Sequence, residues 1–274
     1  MLNNGLKSSP IVSCNWLHKN LHLENLVLLD ASVKSNVPES LSEYIPSSIP
    51  LDIKGKFSDV SGKFPNTMPS LEQFQHEAQK LGINNNSLVV VYDDKGLYWS
   101  PRVWWLFKIF GFSNVYVLDG GLPEWKARGF KVVSSSDTRA HLVSDLSVKY
   151  DNDKMCFYKD IKELTDNPNV LILDARSQDR FECKVPEPRD GLRSGTIRNS
   201  KNLPFTQLLD GNCLKPKAEL KTIFDTFESN DKSLVFSCGS GITACILALA
   251  AEIAGYEKLS VYDGSWTEYG TLTK

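Results

Sequence analysis

Six consecutive residues late in the chain, Cys238-Gly239-Ser240-Gly241-Ile242-Thr243, combine a nucleophile with a backbone able to hold an anion. Cys238 ends a short apolar run, and two glycines let the following backbone fold into a tight loop whose N–H groups can point inward. A helical pattern follows directly, and its N-terminus adds partial positive charge. That setting favours the thiolate, so Cys238 is expected to have a depressed pKa and to act as a nucleophile. The other cysteines, at 14, 156, 183, 213 and 245, form no CxxC pair and are too sparse for a disulfide scaffold. They read as ordinary free thiols, Cys245 inside the helix.

Two other chemistries share parts of this pattern. Gly239-Ser240-Gly241-Ile242-Thr243-Ala244 fits G-x-G-x-x-A, with Asp263 following 19 residues after Ala244, which imitates a dinucleotide fingerprint. It lies in the last quarter of the chain, where no room is left for the rest of a doubly wound domain. A cysteine phosphatase would need a longer phosphate loop closed by arginine, whereas Thr243 and Ala244 stand in the closing positions. The four histidines, His18, His22, His76 and His141, all lie in the first half-repeat or in the polar stretch after it, and the His18/His22 pair reads as an exposed helix face. No metal or organic cofactor is expected.

The elements that must position Cys238 occur twice. LVLLDAS ends at Asp30-Ala31-Ser32 and NVLILDAR at Asp174-Ala175-Arg176; SLVVVYDD reaches Asp93 and SLVFSC reaches Cys238; VYVLDGGLPEW contains Asp119 and LSVYDGSWTEY contains Asp263. The spacings agree, with 63 and 64 residues between the first two landmarks and 26 and 25 between the next two. Matched landmarks at matched distances indicate two copies of one unit. In each copy, apolar runs (Leu26–Leu29, Leu88–Tyr92 and Val115–Leu118; Val170–Leu173, Leu234–Ser237 and Leu259–Tyr262) read as buried parallel strands. A helix at Pro101–Phe110 or Ile242–Ala254 precedes the last of them and stops at Gly111 or Gly255, both plausible C-caps. The expected fold is α/β: two tandem domains, each a parallel sheet flanked by helices. The expected division is 1–134, a polar linker at 135–154, and 155–274. Ligands of open parallel sheets bind beyond the carboxyl ends of strands. There the first copy has Asp93-Asp94-Lys95-Gly96, which offers no nucleophile, and the second has Cys238. Arg176 beside Asp174, and Arg102 in the first copy, read as structural ion pairs.

Composition sets outer limits. With 274 residues, 41% hydrophobic and 23% charged, the chain is neither disordered nor low-complexity. A net charge of −2 gives no basic field for nucleic acid or an anionic membrane. No apolar run approaches the roughly 18–20 residues of a membrane span. The opening residues MLNNGLKSSP lack both a signal peptide's apolar core and a transit peptide's arginines. A cytoplasmic location is therefore expected, with the mitochondrion as the alternative.

These motifs resemble the two-domain rhodanese-type sulfurtransferases. The resemblance runs through WLHKNL…LVLLDAS (16–32), EYIPSSIPLDI (43–53), SPRVWWLFKIFGFSNVYVLDGGLPEW (100–125), LDARSQDRFE (173–182), EPRDGLRSGTIRNSKNLPF (187–205), CGSGITACILALA (238–250) and YDGSW (262–266). The loop is the most specific piece. Mercaptopyruvate-type members carry Cys-Gly-Ser-Gly-(Val/Ile)-Thr, as here, whereas thiosulfate-type members carry two basic residues where Gly239 and Ser240 stand. The resemblance implies a donor that is an organic acid, 3-mercaptopyruvate, with its carboxylate held by Arg180 and Arg189, whose planar forks suit it. It implies Cys238 as the sulfur carrier, Ser240 as a catalytic hydroxyl, and the loop at Gly239, Gly241, Ile242 and Thr243 as the cradle of the transferred sulfur. The acceptor would be thioredoxin, a small thiol or cyanide. A thiosulfate-preferring enzyme and a weakly catalytic sulfur-relay or binding module are the alternatives.

The sequence departs from the family pattern in places. Tyr44-Ile45-Pro46-Ser47-Ser48 and Gly195-Thr196-Ile197-Arg198-Asn199 replace His-Ile-Pro-Gly motifs. Asn66, in Pro65-Asn66-Thr67-Met68-Pro69, stands where members often have a histidine, and Lys54 where they have its aspartate. The resemblance then implies low activity or a different proton route through Ser240.

Overall fold

The computed structural model describes residues 9–33, 42–136 and 144–273. The chain forms two compact units: Met1–Asp59 with Met68–Tyr150 and Asp210–Leu214, and Val60–Thr67 with Asp151–Leu209 and Lys215–Lys274. The contiguous division drawn from the sequence differs at two short segments. Val60–Thr67 packs with the second unit and Asp210–Leu214 with the first, so chain order and compact unit are not the same partition. Part of the expected linker and His141 lie outside the described residues. Its later part is tied down: Leu146 is buried, and the Lys149 amide donates to the Phe110 carbonyl.

The first unit runs β1 (Ile11–Val12), α1 (Cys14–Asn20), β2 (Leu26–Asp30), β3 (Ile49–Pro50), α2 (Leu71–Lys80), β4 (Leu88–Tyr92), α3 (Ser100–Ile109), β5 (Val115–Leu118) and α4 (Gly121–Ala127). Its sheet is parallel in the order β1-β5-β4-β2-β3. All five residues of β4 are buried, as an apolar run covered on both faces requires. Ser13 and Ser70 cap α1 and α2 by accepting from the Trp16 and Gln73 amides. His22 lies beyond the end of α1, and exposed His18 stacks on Phe130 at 4.2 Å between centroids, so the two do not share a helix face.

Beyond Tyr150 the chain runs β6 (Met155–Cys156), α5 (Tyr158–Leu164), β7 (Val170–Asp174), α6 (Gln178–Phe181), β8 (Lys201–Asn202), β9 (Leu209–Asp210), β10 (Cys213–Leu214), α7 (Lys217–Asp225), β11 (Ser233–Ser237), α8 (Ala244–Ala254), β12 (Leu259–Tyr262) and α9 (Ser265–Leu272). The short β9 and β10 pair as a small separate sheet, Asp210–Leu214 being the segment that belongs to the first unit, and the other elements make up the second unit. Its main sheet is parallel in the order β6-β12-β11-β7-β8, the first unit's order repeated strand for strand. The repeat seen in the sequence is therefore a repeat of topology. Helix α8 is apolar almost all round and correspondingly buried on nearly every side. It ends at Gly255, whose φ of +99° supplies the left-handed cap.

Candidate active site

Strand β11 is central, and its carboxyl end delivers Cys238, 2% exposed, into the loop before α8. Helix α8 starts at Ala244, two residues later than the sequence reading, so Ile242 and Thr243 belong to the loop. The loop is pegged to the start of α9. The Cys238 and Gly241 amides both donate to Ser265 Oγ at 3.1 Å, and that hydroxyl lies 2.9 Å from the Tyr262 carbonyl and 4.0 Å from Cys238 Sγ. Trp266 N donates to the Cys238 carbonyl at 3.0 Å, and Thr267 donates to the Gly239 carbonyl from both N (2.9 Å) and Oγ1 (2.5 Å). The loop's first carbonyls thus face α9. Among the described residues the N–H groups of Gly239, Ser240, Ile242 and Thr243 donate to no protein acceptor. They lie in the turn before the positive end of α8, where an anion is favoured. Gly241 enters this cradle through its backbone conformation, φ +78°, while its N–H is taken by Ser265.

The arginines beside the loop divide into two kinds. Arg176 is fully buried: Nε and Nη2 donate to the Asp174 carboxylate, Nη1 to Glu187 at 2.8 Å and Nη2 to the Gly195 carbonyl. Burial works against its charge, but Asp174 and Glu187 outweigh burial and hold its pKa above the ordinary arginine value. The ion pair expected between Arg176 and Asp174 is present. Arg180 shares Glu187, with Nη2 2.6 Å from Oε2, and its guanidinium lies against the loop: a Cβ on Gly239 would stand 3.0 Å from Arg180 Nη2. Glycine at 239 therefore leaves Arg180 its place. Exposed Arg189 donates only to a neutral partner, Thr267 Oγ1, which in turn bonds the Gly239 carbonyl. Its charge is uncompensated by any carboxylate among the described residues.

Ser240 is half-buried, and its Oγ accepts from Asn66 Nδ2 at 2.8 Å. Lys54 lies in the first unit, with Nζ 5.3 Å from the centre of the Trp99 ring. Sequence reasoning missed Ser265, Thr267 and Glu187. The YDGSW run marks a repeat and a piece of the family resemblance, and the small hydroxyl after its glycine at an element start is the signal that points to Ser265.

The first unit shows what the same loop does without a thiol. Asp93 is fully buried, and its Oδ2 accepts from the amides of Tyr98, Trp99 and Ser100 at 2.9–3.0 Å and from Ser100 Oγ at 2.7 Å, while Oδ1 accepts from Lys95 N. A carboxylate of the chain fills that cradle. Among the remaining thiols, burial pushes Cys14 and Cys213 up to about 12 and Cys156 higher still. Cys183 is exposed, and Cys245 donates to the Gly241 carbonyl from inside α8. Among the described residues no group of three or more His, Cys, Asp or Glu could hold a metal ion, and no helix is long and apolar enough to cross a membrane.

The family model for the rhodanese-like domain matches twice, over residues 13–128 and 157–271. The chain belongs to the rhodanese-like family. It is 40% identical to the mitochondrial thiosulfate/3-mercaptopyruvate sulfurtransferase 1 of Arabidopsis thaliana, over 96% of this chain and 76% of that one. It is 35% identical to the 3-mercaptopyruvate sulfurtransferase of Homo sapiens, over 94% and 91%. Among solved structures it superposes on SseA of Escherichia coli, a 3-mercaptopyruvate sulfotransferase by its description, with a TM-score of 0.82 at 28% identity, covering 94% of this chain and 99% of that one. This rhodanese-like protein is thus a transferase of sulfur-containing groups, built from two rhodanese-like domains.

Proposed function

We propose that the protein transfers sulfur from 3-mercaptopyruvate through a persulfide on Cys238 to a thiol or cyanide acceptor, releasing pyruvate. The observation that carries this reading is the company of Cys238. Its loop has free amides at a helix N-terminus, no basic side chain in the loop itself, and one uncompensated arginine, Arg189, tied to the loop through Thr267. A small dianion would call for charge in the loop, whereas a carboxylate a few atoms from the reacting sulfur is met by an arginine beside it.

Cys238 thiolate attacks the sulfur of mercaptopyruvate. The new S–S bond forms as the C–S bond breaks, and the C–S electron pair leaves as the enolate of pyruvate. The enolate takes up the thiol proton of the donor, directly or through water, leaving Cys238–S–S⁻ and pyruvate, so charge and atoms balance. Arg189, with Arg180 beside it, holds the carboxylate, and Ser240 donates to the developing enolate oxygen. The amides of Gly239, Ser240, Ile242 and Thr243 hold the outer sulfur at the positive end of α8. The acceptor thiol passes its proton to the persulfide, and its thiolate then attacks the outer sulfur, so that the Cys238–sulfur bond breaks and Cys238 leaves as thiolate. Thioredoxin or a small thiol fits that step, and cytoplasmic residence, tested by fractionation, goes with this reading.

The test is mass spectrometry after incubation with 3-mercaptopyruvate. Pyruvate release with a gain of about 32 Da on Cys238, one sulfur atom, is the expected result. Full turnover by Cys238→Ser refutes the mechanism, and a higher kcat/KM for thiosulfate refutes the donor.

A further inference from the structure

We propose that Asn66 is a positioning residue that keeps the Ser240 hydroxyl a hydrogen-bond donor toward the substrate; the inference rests on the mercaptopyruvate reading above. Asn66 Nδ2 lies 2.8 Å from Ser240 Oγ across 174 residues of sequence, and both residues belong to the second unit. The Asn66 backbone sits at φ +61°, a left-handed conformation that asparagine adopts more readily than most other side chains. The residue type thus suits both its backbone and its side-chain task.

Donor counting gives the consequence. An amide nitrogen only donates, and a serine hydroxyl has one hydrogen and two lone pairs. With Asn66 donating into one lone pair, the Ser240 hydrogen is left for a different acceptor, and none is supplied by the described residues. Ser240 stands two residues from the nucleophile in a half-buried loop. In the pyruvate-forming step the acceptor in reach is the substrate oxygen that becomes the enolate oxygen. A carboxylate at 66 would reverse the bond, drawing the Ser240 hydrogen toward residue 66. An amide does not titrate, so the hydroxyl keeps its direction across the working pH range.

The experiment measures steady-state pyruvate release from 3-mercaptopyruvate between about pH 5 and 9 for the wild type, Asn66→Asp, Ser240→Ala and the double variant. Asn66→Asp nearly conserves shape and tolerates the left-handed backbone. Its kcat is expected to fall on the order of 100-fold at pH 8 with little change in KM, the lower end of the range for losing one such donor. Activity should recover toward acid pH as the new carboxyl takes a proton and can donate again, a limb absent from the wild type. Ser240→Ala should be similarly slow, and the double variant no slower than Ser240→Ala. Asn66→Ala serves where the aspartate variant fails to fold; it should lose kcat without gaining the acid limb. Additive losses in the double variant, or wild-type kcat and pH profile in Asn66→Asp, overturn the assignment alone. A wild type that releases no pyruvate overturns the mercaptopyruvate reading and this role together.

Discussion

Arg180→Gln and Arg189→Gln look equivalent in sequence and should differ in what they do to stability. Glu187 is essentially buried and is shared between Arg176 at 2.8 Å and Arg180 at 2.6 Å. Stripping a buried carboxylate of all its partners costs about 3–5 kcal/mol. Arg176 remains in Arg180→Gln, and the Arg180 side chain is 25% exposed, so the expected loss of stability is smaller, about 1–3 kcal/mol. Arg189 is exposed and bonded only to a neutral hydroxyl, so Arg189→Gln should change stability by less than about 0.5 kcal/mol. Its cost falls on binding. A charge-assisted hydrogen bond to the substrate carboxylate contributes about 1.5–3 kcal/mol, which corresponds to a loss of about 10- to 150-fold in kcat/KM. Urea unfolding measures the first quantity and pyruvate release the second. An Arg189→Gln protein as destabilised as Arg180→Gln, or one with unchanged kcat/KM for mercaptopyruvate, would refute the division into a buried network and a free cation.

Two further outcomes follow from the same geometry. Asp93→Ala leaves the amides of Lys95, Tyr98, Trp99 and Ser100 without their acceptor and should lower unfolding free energy by about 3–5 kcal/mol, with Asp93→Asn milder because one oxygen remains; urea titration that finds no loss in the alanine variant contradicts the filled-cradle account. Burial, with Asp263 nearby, raises Glu268 above the usual carboxyl value, against the pull of the Tyr262 hydroxyl. Its ionised form therefore costs stability above the folded pKa, and the cost disappears once pH falls below the unfolded value. Glu268→Gln should melt higher than the wild type near pH 8, and the gap should close toward pH 4; a gap that stays constant with pH refutes it.

The core strands were legible because each is a short apolar run that must be buried on both faces. Leu88–Tyr92, Val115–Leu118 and Leu259–Tyr262 coincide with β4, β5 and β12. Gly111 and Gly255 marked helix ends because both adopt positive φ. Strands β1, β3, β6 and β8 were not legible: two residues have no period, and these strands exist only because a longer neighbour offers hydrogen bonds. The start of α8 is not legible, because the apolar pattern continues back through Ile242 whereas Ser265 holds the backbone before Ala244 in a loop.

By itself the sequence determined the duplicated α/β unit, the place of Cys238 at a strand end, and the contrast with Asp93 in its twin. Those properties are local, set by residue type, spacing and the conformations glycine permits. Tertiary structure alone decided which groups act on one another. It selected Arg189 over Arg180 as the uncompensated cation by burying Glu187 between Arg176 and Arg180. It brought Ser265 under the loop and Asn66 to Ser240 across 174 residues. Hydrogen bonds and ion pairs act over about 3 Å, and no pattern along the chain says which distant residues the fold will bring that close.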